Sequence, residues 1–95
     1  MRFTASAYCD GGTTKSGTPA RQGIVAADPR VLPIGTVIEV RHMDGRTATY
    51  VVADTGAAVK GRHLDIFMPS CAAAKRFGRR TVTARVTRAA PAQER

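Results

Sequence analysis

The sequence predicts an all-β fold, a small closed barrel of six short strands with one short helix near the C-terminal end. Six runs are apolar or alternate with period two, and each is bounded by Gly, Pro or Asp turn formers. Only Cys71–Phe77 has the composition of a helix. The 95 residues leave room for one domain and one modest core.

Phe3–Tyr8 (Phe-Thr-Ala-Ser-Ala-Tyr) alternates as a half-buried strand does, and Cys9–Pro19 is a long loop of turn formers. Gly23–Ala27 reads as a short buried strand. It stops at Asp28-Pro29, because the residue before Pro avoids the helical region. Leu32-Pro33-Ile34-Gly35 is a turn. Thr36–Arg41 and Thr47–Ala53 are strands joined by a hairpin at Asp44-Gly45.

Asp54-Thr55-Gly56 and Lys60-Gly61 then mark a polar loop, and His63–Met68 is the fifth strand. Ser70 has the chemistry of an N-cap for the Ala-rich helix Cys71–Phe77, and Gly78 that of its stop. Arg80–Arg88 alternates again, with Val82, Ala84 and Val86 on one face. Residues 3–88 form the expected domain, and Ala89–Arg95 a frayed polar tail.

An apolar content of 43% excludes disorder, and the longest apolar runs are too short to cross a bilayer. Aromatics are 5% and Trp is absent, so the core must be Val, Ile, Leu and Ala. Fifteen Lys and Arg against seven acids leave a net charge of +8, and twelve of the fifteen are Arg. Such a surface attracts polyanions such as nucleic acid, anionic lipid or an acidic cell wall. A merely solvated basic surface explains it equally well. No Arg–aromatic stripe or helix-turn-helix pattern is present.

Cys9 and Cys71 have no C-x-x-C partner and no His at ligand spacing, which argues against zinc, and no cofactor is expected. Two cysteines permit either one disulfide or two buried thiols. Met1–Tyr8 lacks the apolar core of a signal peptide, so export would require a leader outside this sequence or another route.

The chemical interest lies in the acids. Asp10 and Asp44 sit in glycine turns, where Asx bonding accounts for them. Asp28, Asp54 and Asp65 instead sit at strand ends or in a short apolar strand, in Ala-Ala-Asp-Pro, Val-Ala-Asp-Thr-Gly and His-Leu-Asp-Ile-Phe. Each alone is best read as a backbone cap. Gathered in one groove, they would raise one another's pKa through repulsion and burial. That would keep one carboxylic acid protonated near neutral pH, ready to protonate a departing glycosidic oxygen.

Several segments follow one another in order: Ala5–Tyr8, Thr14-Lys15-Ser16-Gly17-Thr18, Val25–Pro29, Leu32–Thr36, Val52–Gly56, Val59–Arg62, Leu64–Phe67 and Ala74–Gly78. Together they resemble the 3D domain family, named for three aspartates and related to the expansin and endoglucanase barrels. The resemblance implies a six-stranded double-psi β-barrel. It also implies a periplasmic, cell-envelope or secreted lytic transglycosylase that cleaves the MurNAc-β-1,4-GlcNAc bond of peptidoglycan glycan strands.

By position, Asp65 corresponds to the single catalytic acid and Asp54 to a second groove aspartate that tunes it, with Ile66 among the apolar neighbours. Asp28 corresponds to the third aspartate, a sugar contact or equally a structural brace. Thr14 and Gly17 fall in the groove-lining loop, Lys60 and Gly61 in the Lys-Gly turn, and Gly56 in the aspartate loop. The chain reads Asp54-Thr55-Gly56-Ala57 where many members carry a second glycine. That change is silent if position 57 has negative φ, and strains the loop otherwise.

His42 and His63 each neighbour an Arg and read as solvated surface. Tyr8 and Tyr50 read as packing, with sugar stacking as the alternative. Arg76, Arg79 and Arg80 suit the helix C-terminus, or an anionic wall polymer. Ser16 and Ser70 lack the partners of a serine hydrolase. Two non-enzymatic classes compete: an expansin-like glycan-binding module, and a nucleic-acid-binding barrel. The second rests on charge alone, and carboxylates in the groove would repel phosphate.

Overall fold

The computed structural model describes residues 1–91. Its elements are β1 (Arg2–Tyr8), β2 (Ile24–Ala27), β3 (Val37–Arg41), β4 (Thr47–Asp54), β5 (His63–Phe67), α1 (Cys71–Phe77) and β6 (Arg80–Arg88). The strands close into a barrel in the order β1-β5-β2-β4-β3-β6. β1 runs parallel to β5, and β2 parallel to β4, while the other four pairings are antiparallel. This is the all-β, double-psi barrel expected, with boundaries within a residue of those read from periodicity.

The period of two decides what lies inside. Phe3 and Ala5, Val25 and Ala27, Ile38 and Val40, Leu64 and Ile66, and Val82 and Ala84 fill the barrel with Val52, Leu32 and Phe77. Fully burying one such aliphatic side chain, for example Leu64, contributes roughly 1.5–3 kcal/mol. Val86 departs from the expectation and is 44% exposed. It pairs with Ile38 beside the register shift at Val37/Ile38, which breaks the alternation of β6 at that point.

Helix α1 forms where its caps allow. The Ser70 hydroxyl accepts the Ala73 N–H at 3.1 Å, and Gly78, at φ +63°, donates its N–H to the Ala74 carbonyl. Cys71 opens the helix and is joined to Cys9, which follows β1, with Cα atoms 5.0 Å apart. The open choice about the cysteines is therefore resolved as a disulfide. A bridge closing a loop of 62 residues stabilises by about 4 kcal/mol in the chain-entropy picture.

Arg80 finishes the helix end: its Nε donates to the Phe77 carbonyl at 2.9 Å, and its guanidinium lies 4.2 Å from the centre of the Phe77 ring. At the other end of the fold, Ala90 and Pro91 lie over Gly35. The rest of the expected frayed tail, 92–95, falls outside the described residues. Among the described residues no helix is long and apolar enough to cross a membrane.

Candidate active site

One row of register partners crosses four strands. Ser6 on β1 pairs with Asp65 on β5, Asp65 with Ala26 on β2, and Ala26 with Asp54 on β4. Two strand spacings separate the aspartates, placing their Cα atoms about 10 Å apart. Because Leu64 and Ile66 point into the core, Asp65 points outward, as do His63 and Phe67. Ile66 therefore does not surround the carboxyl as expected; alternation turns it to the opposite face.

Asp65 is half-buried, and burial pushes the pKa of its carboxyl above its ordinary value. The hydrogen bond from Ser6 and the positive charges of His63 and Arg79 oppose that rise. Asp54 is not among the causes, so the expectation that repulsion from Asp54 keeps Asp65 protonated needs correcting. Two intervening strand spacings weaken that repulsion, and desolvation is the cause of the upward shift.

Asp54 organises the long first loop. Its Oδ1 accepts the backbone N–H of Lys15 at 3.0 Å and of Thr55 at 2.9 Å, while Ser16 N donates to the Ala53 carbonyl at 3.0 Å. The pinned loop is a small hairpin with a bridge between Thr13 and Pro19. Thr14 is buried within it, and its hydroxyl donates to the Thr18 carbonyl at 2.7 Å. Its Oγ1 also lies 2.8 Å from the Ser16 hydroxyl, which in turn lies 2.9 Å from that of Thr18. The exposed end of this cluster is Ser16 and Thr18 rather than Thr14. Gly17 makes the turn at φ +91°.

Asp28 is buried at the far end of β2 and its oxygens are fully engaged. Oδ1 accepts the Arg30 backbone N–H and Nε at 3.0 and 3.2 Å. Oδ2 accepts Arg30 Nη2 at 3.0 Å and the Gly61 N–H at 2.8 Å. The Arg30 guanidinium and the two backbone donors hold this carboxyl well below the usual carboxylate range. The contact fixes the 60–62 turn, leaving Lys60 exposed beside Gly61 at φ +64°.

Gly56 is required for space: a Cβ there would come within 2.9 Å of Val59 Cγ2. Ala57 does not have positive φ, so the missing second glycine costs no strain.

The roles of Ser6 and His63 at the site escaped the reading of the sequence, whereas Tyr8 packs as expected. The Ser6 hydroxyl lies 3.0 Å from Asp65 Oδ1 and 2.8 Å from His63 Nε2. His63 is thus half-buried and bonded, not free surface. The His-x-Asp spacing alone puts both on one strand face, but Ser6 joins them only through the β1–β5 register. Tyr8 packs edge-on against Phe67, with ring centres 5.4 Å apart, in a cluster with Ile24, Ala53 and Ala20 beneath the loop. Its buried hydroxyl has no partner among the described residues. Burial, then the charges of Asp54 and Asp65, push its pKa up to about 12, so it stays a phenol. His42 and Tyr50 lie elsewhere, near Phe77 and Arg76 at the mouth of the barrel.

The chain is 37% identical to the cell wall-binding protein YocH of Bacillus subtilis over 95 residues, covering 90% of this chain and 32% of YocH. It is 44% identical over 69 residues to the probable endolytic peptidoglycan transglycosylase RlpA of Aquifex aeolicus, covering 72% and 29% of the two chains. In fold it resembles Escherichia coli MltA, crystallised with chitohexaose, at TM-score 0.72 and 23% identity, covering 86% of this chain and 29% of MltA. The chain spans less than a third of the length of each. The 3D domain profile matches residues 23–88, which include Asp28, Asp54 and Asp65, and the chain belongs to the 3D domain family.

Proposed function

We propose that this domain acts on the glycan strands of peptidoglycan outside the cytoplasm, as a lytic transglycosylase with Asp65 as its single acid and base. The observation that carries this is the half-buried Asp65 carboxyl on the outer wall, raised by desolvation. A carboxyl whose protonated form is favoured in this way can act as an acid and give its proton to a glycosidic oxygen. The likeness to RlpA and MltA supports the substrate class.

In the first step Asp65 transfers its proton to the bridging oxygen as the C1–O bond breaks, leaving an oxocarbenium-like muramoyl centre. In the second, the Asp65 carboxylate takes the proton of the sugar's own C6 hydroxyl while that oxygen closes onto C1. The product is a 1,6-anhydromuramoyl end, and Asp65 is restored. No second carboxylate is needed as nucleophile.

Asp54 then serves by holding the Thr14–Thr18 hydroxyl loop against the barrel, where Ser16 and Thr18 meet the sugar. Gly17 and Gly56 shape the two loops. Lys60, exposed beside the Gly61 turn, faces substrate or anionic wall polymer. Asp28 acts as the brace of that turn rather than as a sugar contact, since its own chain occupies both oxygens.

A second reading, a binding module that does not cleave, is favoured by the 37% identity to a cell wall-binding protein. Digestion of purified peptidoglycan by wild type and Asp65→Asn, with mass spectrometry of the soluble products, separates the two. The transglycosylase reading expects anhydromuropeptides that vanish in the variant. Reducing-end products would overturn the intramolecular closure. No soluble product, with pelleting on the wall retained, would establish the binding module.

A further inference from the structure

Ser6 and His63 belong to the same site as Asp65, and a role for them rests on the catalytic reading of that residue. A serine hydroxyl carries one proton. Donated to Asp65 Oδ1 at 3.0 Å, it leaves Oγ as the acceptor for His63 Nε2 at 2.8 Å, so that nitrogen carries a hydrogen. The chain therefore runs Nε2–H to Oγ–H to Oδ1. Its geometry is set by the barrel: Ser6 faces Asp65 and Thr4 faces His63 in the parallel β1–β5 pair.

We propose that Ser6 and His63 are positioning residues that keep Oδ1 of Asp65 as a hydrogen-bond acceptor, so that the transferable proton resides on Oδ2. When Oδ2 gives its proton to the glycosidic oxygen, the same Ser6 bond steadies the new carboxylate. When Oδ2 takes the C6 hydroxyl proton back, the chain is unchanged. His63 orients the serine and supplies no proton to the sugar.

The charged and titratable groups around Asp65 are His63 on its own strand, Tyr8 on β1 and Arg79 from the α1–β6 link, with Asp54 beyond Tyr8. Ser6, His63 and Arg79 all favour the carboxylate. Removing the Ser6 hydroxyl therefore moves the loss of the Asp65 proton to higher pH.

The test compares wild type, Ser6→Ala, Ser6→Thr and Asp65→Asn, with thermal melts as a check of folding. The first readout needs no turnover: the ring nitrogen shifts of His63 are followed against pH by NMR, with His42 as the internal reference. In wild type and Ser6→Thr, the His63 curve should carry a second inflection where Asp65 titrates, reduced in Ser6→Ala to the direct charge effect and absent in Asp65→Asn. A His63 curve identical in wild type and Ser6→Ala, with one inflection or two, would overturn the proposal.

The second readout is release of anhydromuropeptides against pH. Ser6→Ala should lose roughly tenfold in kcat/KM and move the alkaline limb up by about one pH unit, with Ser6→Thr restoring both. An active wild type matched by Ser6→Ala in rate and profile would sink the positioning role and leave the transglycosylase intact. An inactive wild type would sink the transglycosylase, and the NMR curves would still decide the hydrogen-bonded chain.

Discussion

The Asp54 carboxylate accepts the backbone N–H of Lys15 at 3.0 Å, joining the end of β4 to a loop 39 residues earlier. An acceptor is what this contact uses; a charge is not required. Asp54→Asn, which keeps a side-chain oxygen, should hold the loop, whereas Asp54→Ala should release it. Hydrogen exchange at the Lys15 and Ser16 amides would check this, with protection falling by roughly tenfold in the alanine variant alone. Equal protection in both variants would remove Asp54 from the loop's support.

Asp28 supplies a pH-dependent brace. Its folded pKa lies below the ordinary value of 3.8, so its stabilisation is complete above that value and is lost as pH falls through the folded pKa. Asp28→Asn should therefore melt well below wild type at pH 7, with the gap narrowing below about pH 4. Melting curves from pH 7 to pH 2 measure it; a gap independent of pH would show the carboxylate's charge to be irrelevant.

Asp65 carries the opposite sign. Its folded pKa is raised, so any contribution to stability is present below the unfolded value and declines as pH rises. Asp65→Asn should raise Tm at pH 7 and lose that gain near pH 3. Calorimetry at the two values decides it. A variant less stable than wild type at neutral pH would mean that the carboxylate is not penalised by burial.

The Cys9–Cys71 bridge ties α1 to the end of β1. Replacing both cysteines by serine should cost about 2–4 kcal/mol, lowering Tm by roughly 10 °C or more. Denaturant unfolding of the double variant, beside wild type with and without reductant, measures the loss. Unchanged midpoints would mean that the helix is held by packing alone.

In the aspartate loop, Gly56→Ala and Ala57→Gly should both destabilise, for different reasons. Gly56→Ala places a Cβ 2.9 Å from Val59 Cγ2 and should cost about 1–3 kcal/mol. Ala57→Gly relieves no strain and should cost up to about 1 kcal/mol by loosening the unfolded chain. A stabilising Ala57→Gly would contradict the negative φ there.

Strand positions, the helix with both its caps, and the hairpin at Asp44-Gly45 were legible because period, capping and turn chemistry act between residues close in sequence. Ala57 is legible only conditionally, since a missing glycine matters or not according to φ. The roles within the site were harder to read. Thr14 was expected to face the groove, and its hydroxyl is turned inward to Thr18. His63 was read as surface because an Arg precedes it, yet it is bonded to a serine 57 residues away.

The sequence by itself therefore determined the barrel's six strands, most of its inward positions and the family to which it belongs, all written in local pattern and ordered motif. Only the tertiary structure decided how the acids divide their work. The parallel register of β1 on β5 brings Ser6 and His63 to Asp65, the row through Ala26 separates Asp65 from Asp54, and Arg30 with Gly61 occupies Asp28. Burial and hydrogen-bond partners set a carboxyl's chemistry, and both are properties of chain segments that meet only when the barrel closes.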